Sequence, residues 1–458
     1  MPGEEVDAVV VGMGPGGEDV AGRLATAGLN VVGVDNLLLG GECPYYACIP
    51  TKMMVRGAEV LAEARRVPRL AGDARVSPDW TPVADRIRDE ATTDWDDRAA
   101  VERFEGTGGR FVRGFGRVTS PGEVTVSTSA GEHVFRARRA LVLNPGTEPA
   151  VPPIEGLSGT PFWTNREAVR TRTLPSSLVV LGCGPVGMEF AQVFARFGVA
   201  TTAVESSPRL LPGAEPEASA SITEVFTGEG ITVRTGTSAT RVHHDGNRFT
   251  LELDSGETLT AEQLLVTTGR HADLAALGVG NLGLREDAET IDVDGRMRAA
   301  EGTWAVGDVT GHGAFTHTSI YQARIAAADV LGSGEETADY RAEPAVTFTD
   351  PEVASVGMSE SRARAQGLPV RTAVAAIPSS PRGWIHKAGN DGLIKVVADT
   401  ERDIPVGATV VAPLGGEVLG ALAVAVHTQV HLAQLRRMIL AYPTFHRTIE
   451  TVLDQLAE

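Results

Sequence analysis

Apolar runs of strand length alternate with helix-forming stretches at two places along the chain. Residues 6–11 and 29–34 are such runs, and residues 18–27 between them favour a helix. Residues 177–181 and 201–204 repeat the series, again with a helical stretch between them. This order predicts buried parallel strands joined by helices. The chain therefore contains an internal repeat of an α/β unit.

The first strand leads into a glycine-rich turn that is typical of dinucleotide binding. Gly12 permits the tight turn, Gly14 lets the backbone approach a pyrophosphate, and Gly17 lets the helix pack on the strand. The helix N-terminus offers free N–H groups to the phosphates. Asp35 ends the second strand, where a carboxylate accepts hydrogen bonds from a ribose hydroxyl. The ordered set predicts one dinucleotide site.

The second unit repeats this device with Gly182, Gly184, Gly187 and Glu205. A second dinucleotide is therefore expected. Glu205 favours a free ribose 2′-hydroxyl and repels a 2′-phosphate, so we expect NADH in preference to NADPH. Cys183, inside the glycine turn, is interpreted as a small space-filling residue.

The remaining segments predict additional sheet and one further module. Residues 144–149 form a turn that is a plausible domain boundary. Short β segments are expected at 111–126 and 133–143, a hairpin followed by a strand at 241–266, and strands at 345–348, 393–398 and 406–412. With helices at 360–366 and 427–440, the C-terminal part predicts an α+β module. Pro443 is expected to enter a last helix, with His446 on its first turn.

A strand-to-helix transition near residue 308 adds another candidate site. Residues 303–308 form a strand that ends in Gly307 and Asp308, and a helix begins at about Thr316 and includes His317. Asp308 can hold a polyol hydroxyl. The positive end of the helix dipole can stabilise negative charge on a reduced ring.

Composition narrows the class of protein. The 458 residues are 42% apolar and 22% charged, which is ordinary for a globular protein of two or three domains. The formal net charge of −18 argues against nucleic acid and anionic membranes as partners. No apolar run is long enough for a membrane span, and the N-terminus lacks a secretory pattern. Three cysteines do not make a disulfide-stapled secreted scaffold, so a cytoplasmic setting is expected. No metal site is predicted.

Two of those cysteines, Cys43 and Cys48, have four residues between them and follow directly on the first nucleotide unit. A disulfide across so small a loop removes little chain entropy and adds little stability. Redox exchange is the better interpretation, because two thiols held close can pass electrons and re-form a bond.

These motifs together resemble the flavoprotein disulfide reductases, a family that includes dihydrolipoamide dehydrogenase, glutathione and mycothione reductases and mercuric reductase. The similarity covers nearly the whole chain. The matching positions are the two glycine turns, the cysteine pair between Gly41 and Lys52, Gly269-Arg270, the strand ending in Gly307-Asp308, and residues 348–357.

The resemblance implies a glutathione-reductase-like fold: two Rossmann-like domains and a C-terminal α+β dimerisation domain. FAD would bind residues 1–148 and 270–341, and NAD(P)H residues 149–269. Residues 342–458 would form a homodimer interface in which each subunit completes the other's active site. A small thiol or disulfide would be the substrate.

Carried over by position, Cys48 would be the thiol beside the flavin and Cys43 the outer thiol that exchanges with substrate. Lys52 and Glu189 would form an ion pair near the flavin ring, and Asp308 would contact the FAD ribityl chain.

The C-terminus departs from the family pattern His-Pro-Thr-x-x-Glu. Tyr442 occupies the His position and Arg447 the Glu position. Free tyrosine titrates near pH ~10 and histidine near ~6.5, so Tyr442 is a donor but a poor base at neutral pH. Tyr442 is expected to line the site, and His446 is a candidate substitute for the missing base. The loop Pro44-Tyr45-Tyr46-Ala47 also departs from the family's usual Leu-Asn-Val-Gly, and Asn144-Pro145-Gly146 departs from its Ala-Thr-Gly.

Three functions remain open at this point. The first is an FAD-dependent NAD(P)H:disulfide or dithiol oxidoreductase. The second keeps both cofactors but lets the flavin act directly on a quinone, a metal ion or another electrophile; mercuric ion is disfavoured because no cysteine pair lies near the C-terminus. The third is a flavoprotein without turnover that serves as a redox sensor or as a subunit of a complex.

Overall fold

The computed structural model describes residues 3–334 and 336–457. They divide into two compact units. The first unit comprises the described residues of 1–50, 85–150 and 270–339, and the second comprises 51–84, 151–269 and those from 340 onward.

The first unit is built on a mixed sheet whose central strands are parallel. Glu4–Val11 pairs in parallel with Val31–Asp35 on one side and with Gly131–Leu143 on the other. The paired segments 8–11, 31–34 and 140–143 are buried throughout and carry no charged side chain, which is typical of a sheet covered on both faces. The remaining strands are Arg110–Arg113, Phe115–Ser120, Glu123–Thr128, Arg298–Ala300 and Thr303–Ala305.

Helices cover the central sheet of the first unit. The glycine-turn helix Pro15–Thr26 buries Val20, Ala21 and Leu24 in one apolar cluster with strand residues and with helix Thr316–Val330. Strands Glu148–Pro149 and Arg270–His271 pair antiparallel, which joins two distant parts of the chain. The other helices are Glu42–Tyr45, Arg98–Glu105, Leu274–Leu277 and the start of Cys48–Arg66, together with a π-helical turn at Ile87–Ala91.

The second unit contains the second nucleotide fold. Its parallel sheet has the order Thr232–Thr235, Ala200–Glu205, Ser177–Leu181 and Gln263–Val266. Residues 239–261 form a three-stranded antiparallel sheet, and Gln263–Val266 follows it, where the sequence predicted a hairpin followed by one strand over 241–266. Its strands are Ala239–His244, Phe249–Leu253 and Thr258–Ala261, and the helices of this part are Thr81–Arg86, Asn165–Arg170, Pro185–Arg196 and Pro216–Gly228.

The C-terminal part of the second unit is an antiparallel sheet with helices on it, as the α+β pattern predicted. The strand order is Pro344–Thr347, Glu352–Gly357, Ile404–Ala412, Leu393–Asp399 and Val370–Ala376. The helices are Glu360–Ala365, Pro381–His386, Gly415–His427, Leu432–Leu435 and Thr448–Gln455. The fold class inferred from the sequence is confirmed.

One helix was predicted in the wrong place. The prediction at 427–440 is wrong, because Gly415–His427 is the long helix and His427 ends it. Gln429 then takes a left-handed conformation with φ 53°, which turns the chain. Between there and residue 440, only Leu432–Leu435 is helical. The sequence did not predict helix Gly415–His427 because it begins with glycines, and glycine is a poor helix former.

The last helix also begins later than expected. Thr448–Gln455 is the helix, and a 3₁₀ turn, Phe445–Arg447, precedes it. His446 therefore lies in that turn and not on the helix. Within the described residues, no helix combines the length and apolar character that crossing a bilayer requires.

Candidate active site

The cysteine pair lies in the first unit, at the point where a long helix begins. Cys43 belongs to the one-turn helix Glu42–Tyr45, and Cys48 is the first residue of Cys48–Arg66. Both side chains are half-buried. The Sγ atom of Cys48 lies 3.5 Å from the hydroxyl oxygen of Thr316, the first residue of helix Thr316–Val330. Two helix N-termini thus meet at this sulfur, and their dipoles favour a thiolate.

The first glycine turn forms a cradle that a side chain would fill. Gly12 has φ +92°, and a Cβ there would lie 1.9 Å from the carbonyl oxygen of Asn144. Gly41, at φ +69°, approaches the Cα of Gly14 so closely that a Cβ would lie 2.7 Å away. Backbone therefore lines this space on both sides. These contacts fit the close approach that a dinucleotide pyrophosphate requires.

Asp35 is fixed at the edge of that cradle by two backbone N–H groups. Its carboxylate accepts hydrogen bonds from Met13 N at 2.7 Å and Leu37 N at 2.8 Å. Burial raises the pKa of the carboxyl, against the opposing effect of those two donors. Each carboxylate oxygen keeps a lone pair for a ligand hydroxyl.

The second glycine turn repeats this arrangement. Glu205 accepts hydrogen bonds from Cys183 N at 2.7 Å and Ser207 N at 2.8 Å. Gly184 faces open space, and helix Pro185–Arg196 starts immediately after it. Each site therefore has its own acidic residue, hydrogen-bonded to a backbone N–H of its glycine turn. The residues present fit a dinucleotide in each site.

The close approach of helix to strand requires glycine at equivalent places in both turns. A Cβ on Gly17 would lie 1.9 Å from the carbonyl oxygen of Gly12, and one on Gly187 would lie 2.0 Å from that of Gly182. The sequence predicted this close packing from the motif.

Cys183 is fully buried, and its thiol donates to the carbonyl oxygen of Val204 at 3.5 Å. Burial raises the pKa of this thiol, with a further contribution from Glu205. A thiol that resists ionisation is a poor nucleophile. The structure thus agrees with the space-filling interpretation.

Lys52 and Glu189 form an ion pair within the second unit. Lys52 Nζ lies 2.7 Å from Glu189 Oε2, and the other carboxylate oxygen accepts a hydrogen bond from Phe348 N at 2.9 Å. The ammonium group also lies over the Phe348 ring, 4.7 Å from its centroid. The two residues that the family pattern pairs are therefore brought together. Their position relative to a flavin stays a prediction.

Asp308 belongs to a chain of hydrogen bonds that the sequence did not reveal. Thr147 donates from its hydroxyl to Asp308 at 2.8 Å, and Arg270 donates from Nε to the same hydroxyl, also at 2.8 Å. Gly146 and Gly269, predicted at this site, both take positive φ angles beside Thr147 and Arg270. These hydrogen bonds connect the turn after residue 143 with Arg270, where the polypeptide re-enters the first unit.

Gly307 and His317 lie on either side of the segment that connects Asp308 to the next helix. Gly307 N donates to the buried side chain of Gln322 at 2.6 Å. The His317 ring stacks on Phe315 with centroids 5.1 Å apart. Thr147, Gln322 and the hydroxyl of Thr316 are candidate residues that sequence reasoning missed, because no local motif marks them.

Tyr442 and Arg447, which replace the family's His and Glu, contact each other. The Arg447 guanidinium lies 5.5 Å from the centroid of the Tyr442 ring and forms an ion pair with Glu450 at 2.9 Å. Tyr442 is 68% exposed. His446 is half-buried beside Phe445. This surface thus presents a phenol and a guanidinium where the family pattern has an imidazole and a carboxylate.

These features define a class: redox proteins with two dinucleotide sites and a cysteine pair. The chain belongs to the pyridine nucleotide-disulphide oxidoreductases, whose main domain matches residues 6–328 and whose dimerisation domain matches residues 343–453. Members of this family are FAD-dependent oxidoreductases, and FAD and a nicotinamide nucleotide are their typical cofactors. The family resemblance inferred from the sequence is confirmed.

Curated relatives include a mercuric reductase of Acidithiobacillus ferrooxidans, 32% identical over 96% of this chain and 81% of the relative. A dihydrolipoyl dehydrogenase of Thermus scotoductus is 31% identical over 98% of this chain and 97% of the relative.

Solved structures share the fold. LpdA of Mycobacterium tuberculosis aligns with a TM-score of 0.86 at 25% identity, over 98% of this chain and all of its own. The flavoprotein disulfide reductase RclA of Escherichia coli aligns with a TM-score of 0.87 at 24% identity, over 99% of this chain and all of its own.

Proposed function

We propose that the protein is an FAD-dependent NAD(P)H:disulfide oxidoreductase that reduces a small disulfide through Cys43 and Cys48. The observation that carries this proposal is the position of Cys48. Its sulfur lies at the N-terminus of a 19-residue helix and 3.5 Å from the hydroxyl oxygen of Thr316. Such surroundings favour the thiolate that disulfide exchange needs.

In this proposal, the first glycine turn, Gly41, Gly146 and Asp308 hold FAD, with Asp35 on its ribose. Bound FAD would supply a two-electron relay between the nicotinamide and the cysteine pair. The second glycine turn would hold the nicotinamide nucleotide. The negative charge of Glu205 beside the expected ribose supports NADH over NADPH. Residues 1–148 with 270–341, residues 149–269 and residues 342–458 are the proposed domains.

The chain's own chemistry is thiol–disulfide exchange. The Cys43 thiolate attacks one sulfur of the substrate RSSR, a mixed disulfide forms, and RS⁻ leaves. The Cys48 thiolate then attacks Cys43, which releases the second RS⁻ and restores the Cys43–Cys48 disulfide. The balanced reaction is NAD(P)H + H⁺ + RSSR → NAD(P)⁺ + 2 RSH. Lys52, with Glu189 as its counter-ion, would place positive charge near the hydride path.

Protonation of the released thiolates needs an acid, and Tyr442 is the proposed donor. A neutral phenol can donate a proton at pH 7 but cannot serve as an efficient base there. His446 is the alternative. The match of residues 343–453 to the family's dimerisation domain supports a homodimer whose subunits share active sites. Such a dimer would bring Tyr442 of one subunit to the cysteines of the other. Dependence on NAD(P)H and free thiols supports a cytoplasmic setting.

Thiol counting tests the proposal. Under anaerobic conditions, NADH should raise by two the number of wild-type cysteines that iodoacetamide alkylates when the protein is then denatured, as counted by mass spectrometry. The Cys43→Ser, Cys48→Ser double variant should show no rise, and the buried Cys183 supplies a constant background. A wild-type protein whose thiol count does not change on NADH addition would refute the proposed function.

Direct reduction by the flavin is the second candidate, favoured by the absence of the family's His and Glu at positions 442 and 447. Several relatives are named mercuric reductases, which makes metal ions one class of electrophile to test. The Cys43→Ser, Cys48→Ser variant separates the two functions. Full NADH-dependent reduction of quinones or metal ions by that variant, with no disulfide reduction by the wild type, would favour this second candidate.

A further inference from the structure

The indole of Trp95 is bonded to the loop that separates the two cysteines. Its Nε1–H donates to the backbone carbonyl oxygen of Tyr45 at 3.1 Å. Tyr45 ends the one-turn helix that carries Cys43, and its side chain is only 6% exposed. The bond therefore ties the Cys43 helix to a segment 50 residues further along the chain.

The backbone that presents Trp95 is strained. Thr93, Asp94 and Trp95 take left-handed conformations in succession, with φ of 49°, 56° and 57°. None of them is glycine, and residues with a Cβ atom adopt this conformation at an energetic cost. Such strain persists only where surrounding contacts fix it, and it concentrates at functional positions.

Thr92 makes some of the contacts that hold residues 93–95 in this conformation. Its side chain is 1% exposed, and its hydroxyl donates to the Ile87 carbonyl oxygen at 3.0 Å and accepts from Trp95 N at 3.3 Å. Asp94 N donates to the Arg88 carbonyl oxygen at 2.6 Å. Hydrogen bonds thus connect the π-helical turn Ile87–Ala91 to the left-handed residues 93–95, which set the position of the indole.

A second contact holds the other side of the cysteine loop. The buried carboxylate of Asp97 accepts from Leu39 N at 2.7 Å and from Arg113 Nη2 at 2.6 Å. Leu39 directly precedes Gly40 and Gly41, both at positive φ. Residues 92–97, which we term the brace, therefore contact the loop before Cys43 through Asp97 and after it through Trp95.

We propose that Trp95 is a positioning residue that fixes Cys43 relative to Cys48 and so sets the stability of their disulfide. This inference rests on the proposed function. An intramolecular disulfide is more stable when its two thiols have a higher effective concentration toward each other. A braced Cys43 helix restricts the Cys43 sulfur to fewer positions. Removing the brace should lower the effective concentration and make the disulfide easier to reduce.

Trp95→Phe keeps the aromatic volume and removes the N–H donor. The holoenzyme would be equilibrated with dithiothreitol redox buffers, and the fraction of Cys43–Cys48 disulfide would be read by alkylation and mass spectrometry. We expect about a tenfold shift toward the dithiol, equivalent to a reduction potential about 30 mV less negative. Thr92→Val, which leaves the indole but removes its backbone support, should shift the equilibrium in the same direction.

Trp384→Phe is the matched control, because Trp384 is 71% exposed and lies in the other unit; its equilibrium should equal that of the wild type. Retained FAD and an unchanged unfolding midpoint would verify that each variant is folded. Wild-type equilibria in both Trp95→Phe and Thr92→Val would overturn this inference alone. A wild-type protein without a reversible Cys43–Cys48 couple would overturn the proposed function with it.

Discussion

The hydroxyl oxygen of Thr316 lies 3.5 Å from the sulfur of Cys48, and each residue is the first of its helix. This relationship joins two sequence segments that are 268 residues apart. A hydroxyl in this position can donate to a thiolate, which no hydrocarbon side chain can do. The contact suggests that Thr316 contributes to the reactivity of Cys48.

Thr316→Val should make Cys48 harder to ionise. A hydrogen bond to a charged group is worth roughly 1.5–3 kcal/mol, so its loss should move the pH midpoint of Cys48 alkylation upward by about one to two pH units. The measurement is the rate of reaction with iodoacetamide against pH in a Cys43→Ser background. Cys183 is buried and should not interfere. Thr316→Ser, which keeps the hydroxyl, should retain the wild-type midpoint; an unchanged midpoint in Thr316→Val would contradict this role.

Glu189→Gln should slow reduction of the enzyme by NADH. The carboxylate lies 2.7 Å from Lys52, and the neutral amide cannot balance that charge. A loss of roughly 1.5–3 kcal/mol corresponds to about a ten- to hundredfold lower rate. Stopped-flow absorbance measures that rate directly. Glu257→Gln, which removes the exposed ion pair with Arg234, is the control and should react at the wild-type rate.

The coenzyme preference should depend on Glu205. Glu205→Gln keeps the size of the side chain but removes the negative charge that opposes a 2′-phosphate. The ratio of kcat/KM for NADH to that for NADPH should fall by about tenfold, since each 1.4 kcal/mol changes such a ratio by that factor. Asp35→Asn makes the same change at the equivalent acidic residue of the first nucleotide unit, which accepts a hydrogen bond from that unit's glycine turn. It should weaken FAD retention and leave the NADH/NADPH ratio unchanged.

The nucleotide units were predictable because their signal is local. Strand, glycine turn, helix and acidic residue follow one another within about 30 residues, and the structure forms all four elements in both places. Gly12 and Gly182 are required by their φ angles and close backbone contacts. The same logic failed at Gly415–His427, where glycines lower helix propensity but buried Val418, Leu419 and Leu422 stabilise the helix.

The supporting contacts of the site could not be predicted from the sequence. The bonds from Trp95 to Tyr45 and from Thr147 to Asp308 join residues 50 and 161 positions apart. Neither belongs to a motif, and three successive left-handed residues contradict the local preference of Thr93, Asp94 and Trp95. Tertiary contacts decide such conformations, so only the fold reveals them.

Lys395 should be essential to the stability of the second unit. Its side chain is 2% exposed, and its ammonium nitrogen lies 3.1 Å from Glu215, 2.8 Å from Glu217 and 2.9 Å from Glu360. Removing one partner of a buried ion pair leaves an uncompensated charge, at a cost of about 3–5 kcal/mol. Lys395→Met should therefore lower the urea midpoint at pH 7. Adding Glu215→Gln should recover part of the loss, because Glu215 is the most buried of the three carboxylates.

The effect of Lys395→Met should diminish in acid. Hydrogen bonds from Lys395 and Arg364 lower the pKa of Glu360 below its ordinary value of 4.5. A depressed carboxyl pKa stabilises the folded state above the unfolded-state pKa, and that stabilisation is lost as the pH falls through the folded-state value. The wild type should progressively lose this contribution as the pH falls below about 5, whereas the variant lacks the Lys395 part of it from the start. Urea midpoints of the two proteins should therefore converge over this range. A difference that stays constant down to pH 3 would show that Lys395 stabilises the unit through its packing and not through its charge.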